Sequence, residues 1–193
     1  MAGTFPTTPE FRAINVESKH NNLVSETISG RQQVRTIGGQ RYCFTAQYNV
    51  MTRAEFMPVF AFVASQQGRL GTFTIVPPVI GNASGDVSGT VLVNGATSAG
   101  AVSVPIDGIS GTLKAGDFIK FAGHTKVYMV TADRTGAGSV LIEPALVSNV
   151  ADDEAVSFDN IPFTMRLRND IQTYDLNANE QYSYEIDMIE VIT

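Results

Sequence analysis

The sequence is poor in the residues from which catalytic and metal sites are built. It has one cysteine, Cys43, two histidines and no tryptophan. A lone cysteine excludes a disulfide framework within the chain and a cysteine-based metal site, and we expect Cys43 to pack as a small buried hydrophobe. His20 and His124 have no second ligand at a suitable spacing, so we interpret each as an exposed turn residue. We therefore predict no metal and no cofactor.

Basic clusters and long apolar runs are also missing. The formal net charge is -6 and there is no run of Lys or Arg, so the chain lacks the electrostatic footprint of a protein that grips nucleic acid. DNA that passes without specific binding would suit this charge better. No apolar stretch approaches the roughly 20 residues that span a bilayer, and the first residues do not form a secretion signal. We expect no membrane insertion and an aqueous, reducing compartment.

What the sequence does contain favours a mainly β protein with one helix. The helix pattern begins near Met51, where Thr52 can cap it and Glu55 follows at the spacing of a capping box. Pro58 removes a backbone hydrogen bond at a cost of about 3 kcal/mol, so we expect a kink or a late start there. Apolar residues at helical spacing predict one stripe buried against a sheet: Phe56, Val59, Phe60 and Val63.

Strand patterns flank the helix. Residues 1–33 are polar and irregular and are interpreted as an extended arm, in which Phe11, Ile14 and Val16 could form a short strand. Residues 41–48 alternate as a half-buried strand. Two further alternating runs, 161–168 and 182–188, are predicted to pair as a hairpin. In that arrangement opposite charges would face each other across the two strands: Arg166 and Arg168 on one, Glu185 and Asp187 on the other.

Residues 84–157 have a different composition, with most of the 17 glycines and few aromatic residues. Short runs separated by Gly-rich turns predict a small β-barrel or sandwich. We therefore expect a β-sandwich body with one helix, residues 1–83 plus 158–193, interrupted by an inserted barrel domain, residues 84–157. The predicted strands of the insert are Thr90–Val93, Val102–Ile106, Asp117–Phe121, Lys126–Thr131, Ser139–Glu143 and Ala155–Phe158.

No catalytic constellation is visible. Residues 152–154 are acidic, but they supply too few oxygens at the wrong spacing for a calcium loop, so a solvated loop is the preferred interpretation. Glu185 and Asp187 share one face of a strand, without the cleft and the raised pKa that paired catalytic carboxylates require. We predict that the protein is not an enzyme.

Two sets of segments resemble phage tail proteins. The body, through SGRQQVR, GQRYCFTAQY, MTRAEFMPVFAFVASQQGRLGTFTIVPP, PFTMRLRND and YSYEIDMIEVI, resembles minor tail-tip and distal tail proteins of long-tailed phages. The insert, through GTLKAGDFIKFAGHTKVYMVTA and SVLIEPALV, resembles the second domain of distal tail proteins in T-five-like siphophages. This resemblance implies a ring-forming β-sandwich and an inserted barrel of the oligonucleotide/oligosaccharide-binding (OB) type.

The resemblance also implies a structural virion protein, assembled in the host cytoplasm and located at the distal end of the tail. Six copies would form a ring that joins the tail tube to the baseplate hub or tail tip and surrounds the channel for DNA and tape measure. The implied partners are further copies of the chain, tail tube protein, hub or tip protein and tape-measure protein. The candidate ring-interface residues are Gln32, Gln33, Val34, Arg35, Thr36, Ile37, Gly38 and Gly39, together with the arm.

One alternative is a peripheral tail or baseplate module whose barrel binds host-surface glycan. Glycan sites usually carry aromatic platforms, and the absence of Trp argues against this function. The clear aromatic residues of the insert are Phe118, Phe121 and Tyr128. A second alternative, a wall-degrading tail hydrolase, lacks a recognisable catalytic pair or metal site.

Overall fold

A computed structural model of the chain describes residues 3–192 and is mainly β, as predicted. The helical elements are α1 (Arg53–Ser65) and a short 3-10 turn (Gly68–Leu70). The strands are β1 (Gly3–Thr4), β2 (Phe11–Lys19), β3 (Asn22–Glu26), β4 (Gln32–Thr36), β5 (Arg41–Tyr48), β6 (Phe73–Ile75), β7 (Leu92–Val93), β8 (Ser103–Asp107), β9 (Thr112–Leu113), β10 (Phe118–Phe121), β11 (Tyr128–Val130), β12 (Arg134–Thr135), β13 (Gly138–Glu143), β14 (Val156–Ser157), β15 (Phe163–Leu167), β16 (Tyr174–Leu176) and β17 (Tyr182–Glu190).

The described residues divide into two compact units. The first, residues 3–73 with Met165–Val191, is called the body unit. The second, Thr74–Thr164 with Ile192, is called the barrel unit. The function that the sequence analysis assigned to each predicted domain stays a prediction. Among residues 3–192, no helix combines the length and the apolar character needed to cross a bilayer.

A seven-stranded sheet, most of whose residues belong to the body unit, has the strand order β1-β6-β15-β17-β5-β2, with β16 added alongside β17. Strand β5 lies between β17 and β2, so that Ala46 is opposite Ile186 on one side and Ile14 on the other. The alternation predicted for residues 41–48 is confirmed, because Tyr42, Phe44, Ala46 and Tyr48 are all buried. This row of side chains forms part of the core of the unit.

Helix α1 begins at Arg53, so the expected late start at Pro58 is wrong. Thr52 is the N-cap residue, and the Glu55 carboxylate accepts hydrogen bonds of 2.8 Å from the Thr52 backbone N–H and from its hydroxyl. Pro58 lies inside the helix with its side chain exposed. Burial of the predicted stripe outweighs the hydrogen bond that proline removes. Within that stripe Phe56, Val59 and Val63 are buried and Phe60 is half-buried.

The predicted arm is more regular than expected, because the short strand indicated by Phe11, Ile14 and Val16 is confirmed and extends to Lys19. Strand β2 has nine residues and pairs with β5 from Phe11 to Lys19, with one irregularity near its start. None of its residues is fully buried, so the apolar alternation that identifies a half-buried strand is weak. Backbone hydrogen bonds to β5, rather than burial, hold this edge strand in place.

The barrel unit contains a nearly closed sheet with the order β14-β10-β11-β13-β8-β7. Backbone hydrogen bonds complete the circle: Val93 N–H donates to the Glu154 carbonyl and Val156 N–H donates to the Val91 carbonyl, each at 2.9 Å. All six strands predicted for the insert are confirmed. The ribbon formed by β9 and β12 was not predicted, because a two-residue strand is too short to show a period.

Candidate functional site

Strands β3 and β4 form an antiparallel hairpin on the body unit, and we call residues 22–37 the exposed hairpin. The two strands make a separate two-stranded sheet, and every residue in both strands is exposed. At the turn, Gly30 N–H donates to the Thr27 carbonyl at 2.8 Å, and Gly30 has a φ of +76°. An isolated two-stranded hairpin is only marginally stable in water, so this element is suited to gaining a partner.

The exposed hairpin carries large apolar side chains in solvent. The exposed fractions are 59% for Leu23, 61% for Val24, 62% for Val34 and 65% for Ile37. Val24 lies opposite Val34 on one face of the hairpin. Leu23 and Ile37 lie on the other face, so both faces of the hairpin expose apolar side chains, as is typical of a protein interaction surface.

The structure places the eight candidate ring-interface residues at this element. Gln32, Gln33, Val34, Arg35 and Thr36 form β4, and Ile37, Gly38 and Gly39 follow it directly. The Asn21 side-chain amide donates to the Gly38 and Gly39 carbonyls at 3.3 and 3.2 Å, which fixes the base of the hairpin. The eight residues are therefore contiguous and exposed. Their role in a ring stays a prediction.

A groove of about 540 Å³ lies elsewhere on the body unit. It is bounded by the start of β2, the end of β5, the segment 169–175 and β17. Two exposed apolar residues, Val50 and Ile171, line it together with polar and charged side chains. The sequence analysis missed this groove, because its lining comes from four separate segments.

The groove is acidic. Asp175, Glu185 and Asp187 contribute three carboxylates, and Arg12 contributes one guanidinium. The Glu185 carboxylate accepts a hydrogen bond of 2.6 Å from the Gln47 side-chain amide. The three negative charges outweigh the one positive charge, so the groove favours a cationic group.

The predicted pairing of charges across the last two long strands is confirmed in part. Strands β15 and β17 pair antiparallel as expected, and Arg168 N–H donates to the Asp187 carbonyl at 2.9 Å, so these two residues lie opposite each other. Arg166, however, lies opposite Ile189. The Arg168 guanidinium comes within 3.7 Å of Glu17 on β2, and the Asp187 carboxylate accepts a hydrogen bond of 2.6 Å from the Thr45 hydroxyl on β5. Side chains of β2 and β5 therefore compete for these charged groups.

Two buried tyrosines also line the groove. Tyr48 and Tyr184 are 5% and 4% exposed, and their ring centroids are 6.3 Å apart. Burial raises the pKa of both hydroxyls, and the proximity of Tyr184 raises the pKa of Tyr48 further. The Tyr184 hydroxyl donates to the Gln172 side chain at 3.0 Å. Among residues 3–192 the Tyr48 hydroxyl has no hydrogen-bond partner, and it is buried on the core side of β5.

The aromatic residues of the barrel unit do not form a stacking platform. Phe118 is 6% exposed, and Phe121 and Tyr128 are fully buried. His124 is only 7% exposed, so its interpretation as an exposed turn residue is wrong, whereas His20 is exposed as predicted. The His124 ring is hydrogen-bonded to the Tyr128 hydroxyl at 2.9 Å and packs edge-on to Phe121. These contacts explain why the histidine is buried.

The acidic loop of the barrel unit binds backbone groups. Asp152 accepts a hydrogen bond from Gly95 N–H at 2.6 Å, and Glu154 accepts one from Gly123 N–H at 2.7 Å. In the part of the chain that the structure describes, no group of three or more His, Cys, Asp or Glu residues is placed to hold a metal ion. The loop carboxylates therefore act as turn-stabilising acceptors.

A mainly β chain with an exposed apolar hairpin and an acidic groove has surfaces suited to contact with other proteins. The comparisons with known proteins specify the kind of assembly. Residues 81–161 match the family described as Distal tail protein pb9, B domain. This match lies within the barrel unit, covers less than half of the chain, and confirms the predicted relationship to phage distal tail proteins. No curated protein matches the chain. The matched family supports a structural role in the virion tail.

Proposed function

We propose that the protein forms a closed ring, with six copies expected, at the distal end of the phage tail tube. The ring connects the tube to the baseplate hub or tail tip and surrounds the channel for DNA and tape-measure protein. The observation that carries the proposal is the match of residues 81–161 to a distal tail protein domain. Residues 84–157 act in this proposal as an OB-like inserted barrel, and residues 1–83 with 158–193 act as the ring-forming sandwich.

The exposed hairpin supports the ring. A closed ring with rotational symmetry uses heterologous contacts, in which one surface of a copy meets a different surface of the next. The side chains of Val34 and Ile37 would be buried in such a contact, and removal of apolar area from water stabilises association. The hairpin can also add strands to a neighbouring sheet, because its outer edges carry unpaired backbone groups.

The net charge suits a channel protein. The chain carries a formal charge of -6, and like charges on a wall and on passing DNA disfavour adhesion. In this proposal DNA slides through without specific binding, and the specific partners are tail tube protein and the hub or tip protein. The complex is assembled in the host cytoplasm and is then carried in the virion.

Native mass spectrometry and negative-stain averages of the purified chain test this function, at several concentrations and with tail tube protein added. A closed ring, alone or on the end of the tube, is the expected result. A chain that stays monomeric with tail tube protein present and instead retains a cell-surface glycan would contradict the proposal.

A further inference from the structure

The exposed hairpin and the acidic groove lie at opposite ends of the same two strands. Strand β2 begins beside the groove, at Phe11 and Arg12, and ends at Lys19, three residues before β3. Strand β5 begins at Arg41, shortly after β4, and ends at Tyr48 in the groove wall. Eight residues of extended chain span roughly 25 Å. Because this length separates the hairpin from the groove of the same chain, the hairpin is placed to meet the groove of a different copy.

The two surfaces are chemically complementary. On one face of the exposed hairpin Leu23 lies opposite Arg35, and Ile37 projects from the same face because it is two residues further along the strand. That face presents one cation between two apolar side chains. The groove presents three carboxylates beside two exposed apolar residues, Val50 and Ile171.

We propose that the acidic groove of one copy receives the Arg35 face of the exposed hairpin from a second copy of this chain. The Arg35 guanidinium enters among Asp175, Glu185 and Asp187. Leu23 and Ile37 cover the apolar side chains of Val50 and Ile171. This inference rests on the proposed ring, and it names the surface that the hairpin contacts.

The guanidinium of Arg35 suits the three carboxylates of the groove. A guanidinium has five N–H donors in a rigid fork, and an ionised carboxylate only accepts hydrogen bonds.

The proposed contact has a direction. The hairpin and the groove are different surfaces, so each copy donates to one neighbour and accepts from the other. Contacts of this heterologous kind close into rings when the rotation between copies closes, and otherwise form open filaments. The geometry of the body unit therefore supplies the kind of contact that a ring of identical subunits requires.

Charge reversal tests the pairing in the full chain. Arg35→Glu and Glu185→Arg each place like charges together, and we expect each to weaken association at least tenfold by native mass spectrometry and sedimentation velocity. The double variant Arg35→Glu with Glu185→Arg restores opposite charges, and we expect it to assemble. Arg53→Glu is the matched control: it changes an exposed arginine at the start of α1 and should leave assembly unchanged.

A mixture of the two single variants provides a second measurement. The Arg35→Glu chain keeps an intact groove and the Glu185→Arg chain keeps an intact hairpin, so alternating copies have complementary contacts throughout. We expect the mixture to form rings although neither variant does so alone. Circular dichroism of each variant verifies that its fold is retained.

The outcomes separate this inference from the proposed function. Wild-type protein that forms no ring, with or without tail tube protein, counts against the proposed function. Wild-type rings that persist in both single variants would overturn the hairpin-in-groove contact and leave the ring intact. Loss of assembly in both single variants without rescue in the double variant or the mixture would also overturn the pairing.

Discussion

The two units bury apolar side chains in different ways. The core of the barrel unit is mostly aliphatic, and it lies inside a nearly closed sheet in which the β7 and β14 regions are joined by backbone hydrogen bonds. The core of the body unit is rich in aromatic rings, and the same unit leaves Leu23, Val24, Val34 and Ile37 in solvent. The sheet of the barrel unit is nearly closed on itself. The body unit instead has an open sheet edge at β2 and an exposed apolar hairpin, and both are available for assembly.

The largest effect is expected from Phe56→Ala in the aromatic core. Phe56 is fully buried, and its ring centroid lies 4.8 Å from that of Tyr182 and 4.9 Å from that of Tyr174. Removing a buried phenylalanine side chain leaves a cavity and costs about 3 to 5 kcal/mol of the free energy of unfolding. Urea denaturation followed by tyrosine fluorescence measures the loss, because five of the six tyrosines lie in the body unit and the chain has no tryptophan.

Phe60→Ala is the matched control for this substitution. Phe60 is on the same helix but is only half-buried, so we expect a smaller destabilisation. Equal losses for the two variants would show that the aromatic core is not centred on Phe56. The comparison between an aromatic body unit and an aliphatic barrel unit would then have to be revised.

An intermediate effect is expected from removing one buried tyrosine hydroxyl in each unit. In the barrel unit the Tyr128 hydroxyl is hydrogen-bonded to His124 at 2.9 Å and accepts from Val147 N–H at 3.1 Å. Tyr128→Phe leaves these groups without that partner, and we expect a loss of about 1 to 3 kcal/mol. In the body unit Tyr48→Phe removes a hydroxyl that has no partner among the described residues, so it should leave the unfolding free energy of the monomer unchanged or raised.

Thermal and urea denaturation of the two variants at low protein concentration provides the measurement. Working with the monomer keeps any stabilisation from association out of the comparison. A substantial loss of monomer stability in Tyr48→Phe would contradict the view that this hydroxyl makes no hydrogen bond.

Local patterns predicted the elements that bury one face or lie between turns. Residues 41–48 alternate because one side of β5 is packed, and the short strands of the barrel unit are separated by residues that favour tight turns. At Gly108, φ is +68° and an added Cβ would collide with the Thr90 carbonyl oxygen, so glycine is required there. Requirements of this kind are local and therefore visible in a sequence.

The full length of strand β2 and the groove could not be predicted in the same way, although Phe11, Ile14 and Val16 indicated a short strand. Strand β2 is held by backbone hydrogen bonds to β5, and these do not depend on the identity of its side chains. Because most of those side chains are exposed, they do not alternate clearly between apolar and polar. The groove brings Arg12, Tyr48, Asp175 and Glu185 together from distant positions, so it depends on the strand order. Glu185 and Asp187 were noticed as a pair on one face, but their partners on β5 follow only from the position of β17 in the sheet.

The smallest effect is expected from acid, and it concerns one hydrogen-bonded carboxylate in each unit. Thr52 N–H and its hydroxyl lower the pKa of Glu55 in the body unit; Ala115 N–H, followed by Lys114, lowers the pKa of Asp133 in the barrel unit. A carboxyl whose pKa is lower in the folded than in the unfolded state stabilises folding above its unfolded pKa of about 4, and that contribution disappears as the pH falls through the folded pKa.

Both units should therefore lose some stability in acid, although only the body unit has the exposed hairpin. We expect wild type to exceed Glu55→Gln in stability at pH 6, and this difference to disappear as the pH falls through the lowered folded pKa of Glu55. The same comparison with Asp133→Asn reports on the barrel unit. NMR titration of the two carboxyl carbons measures each pKa directly, and a value for either group at or above its ordinary range would contradict the hydrogen-bonding that holds these two turns.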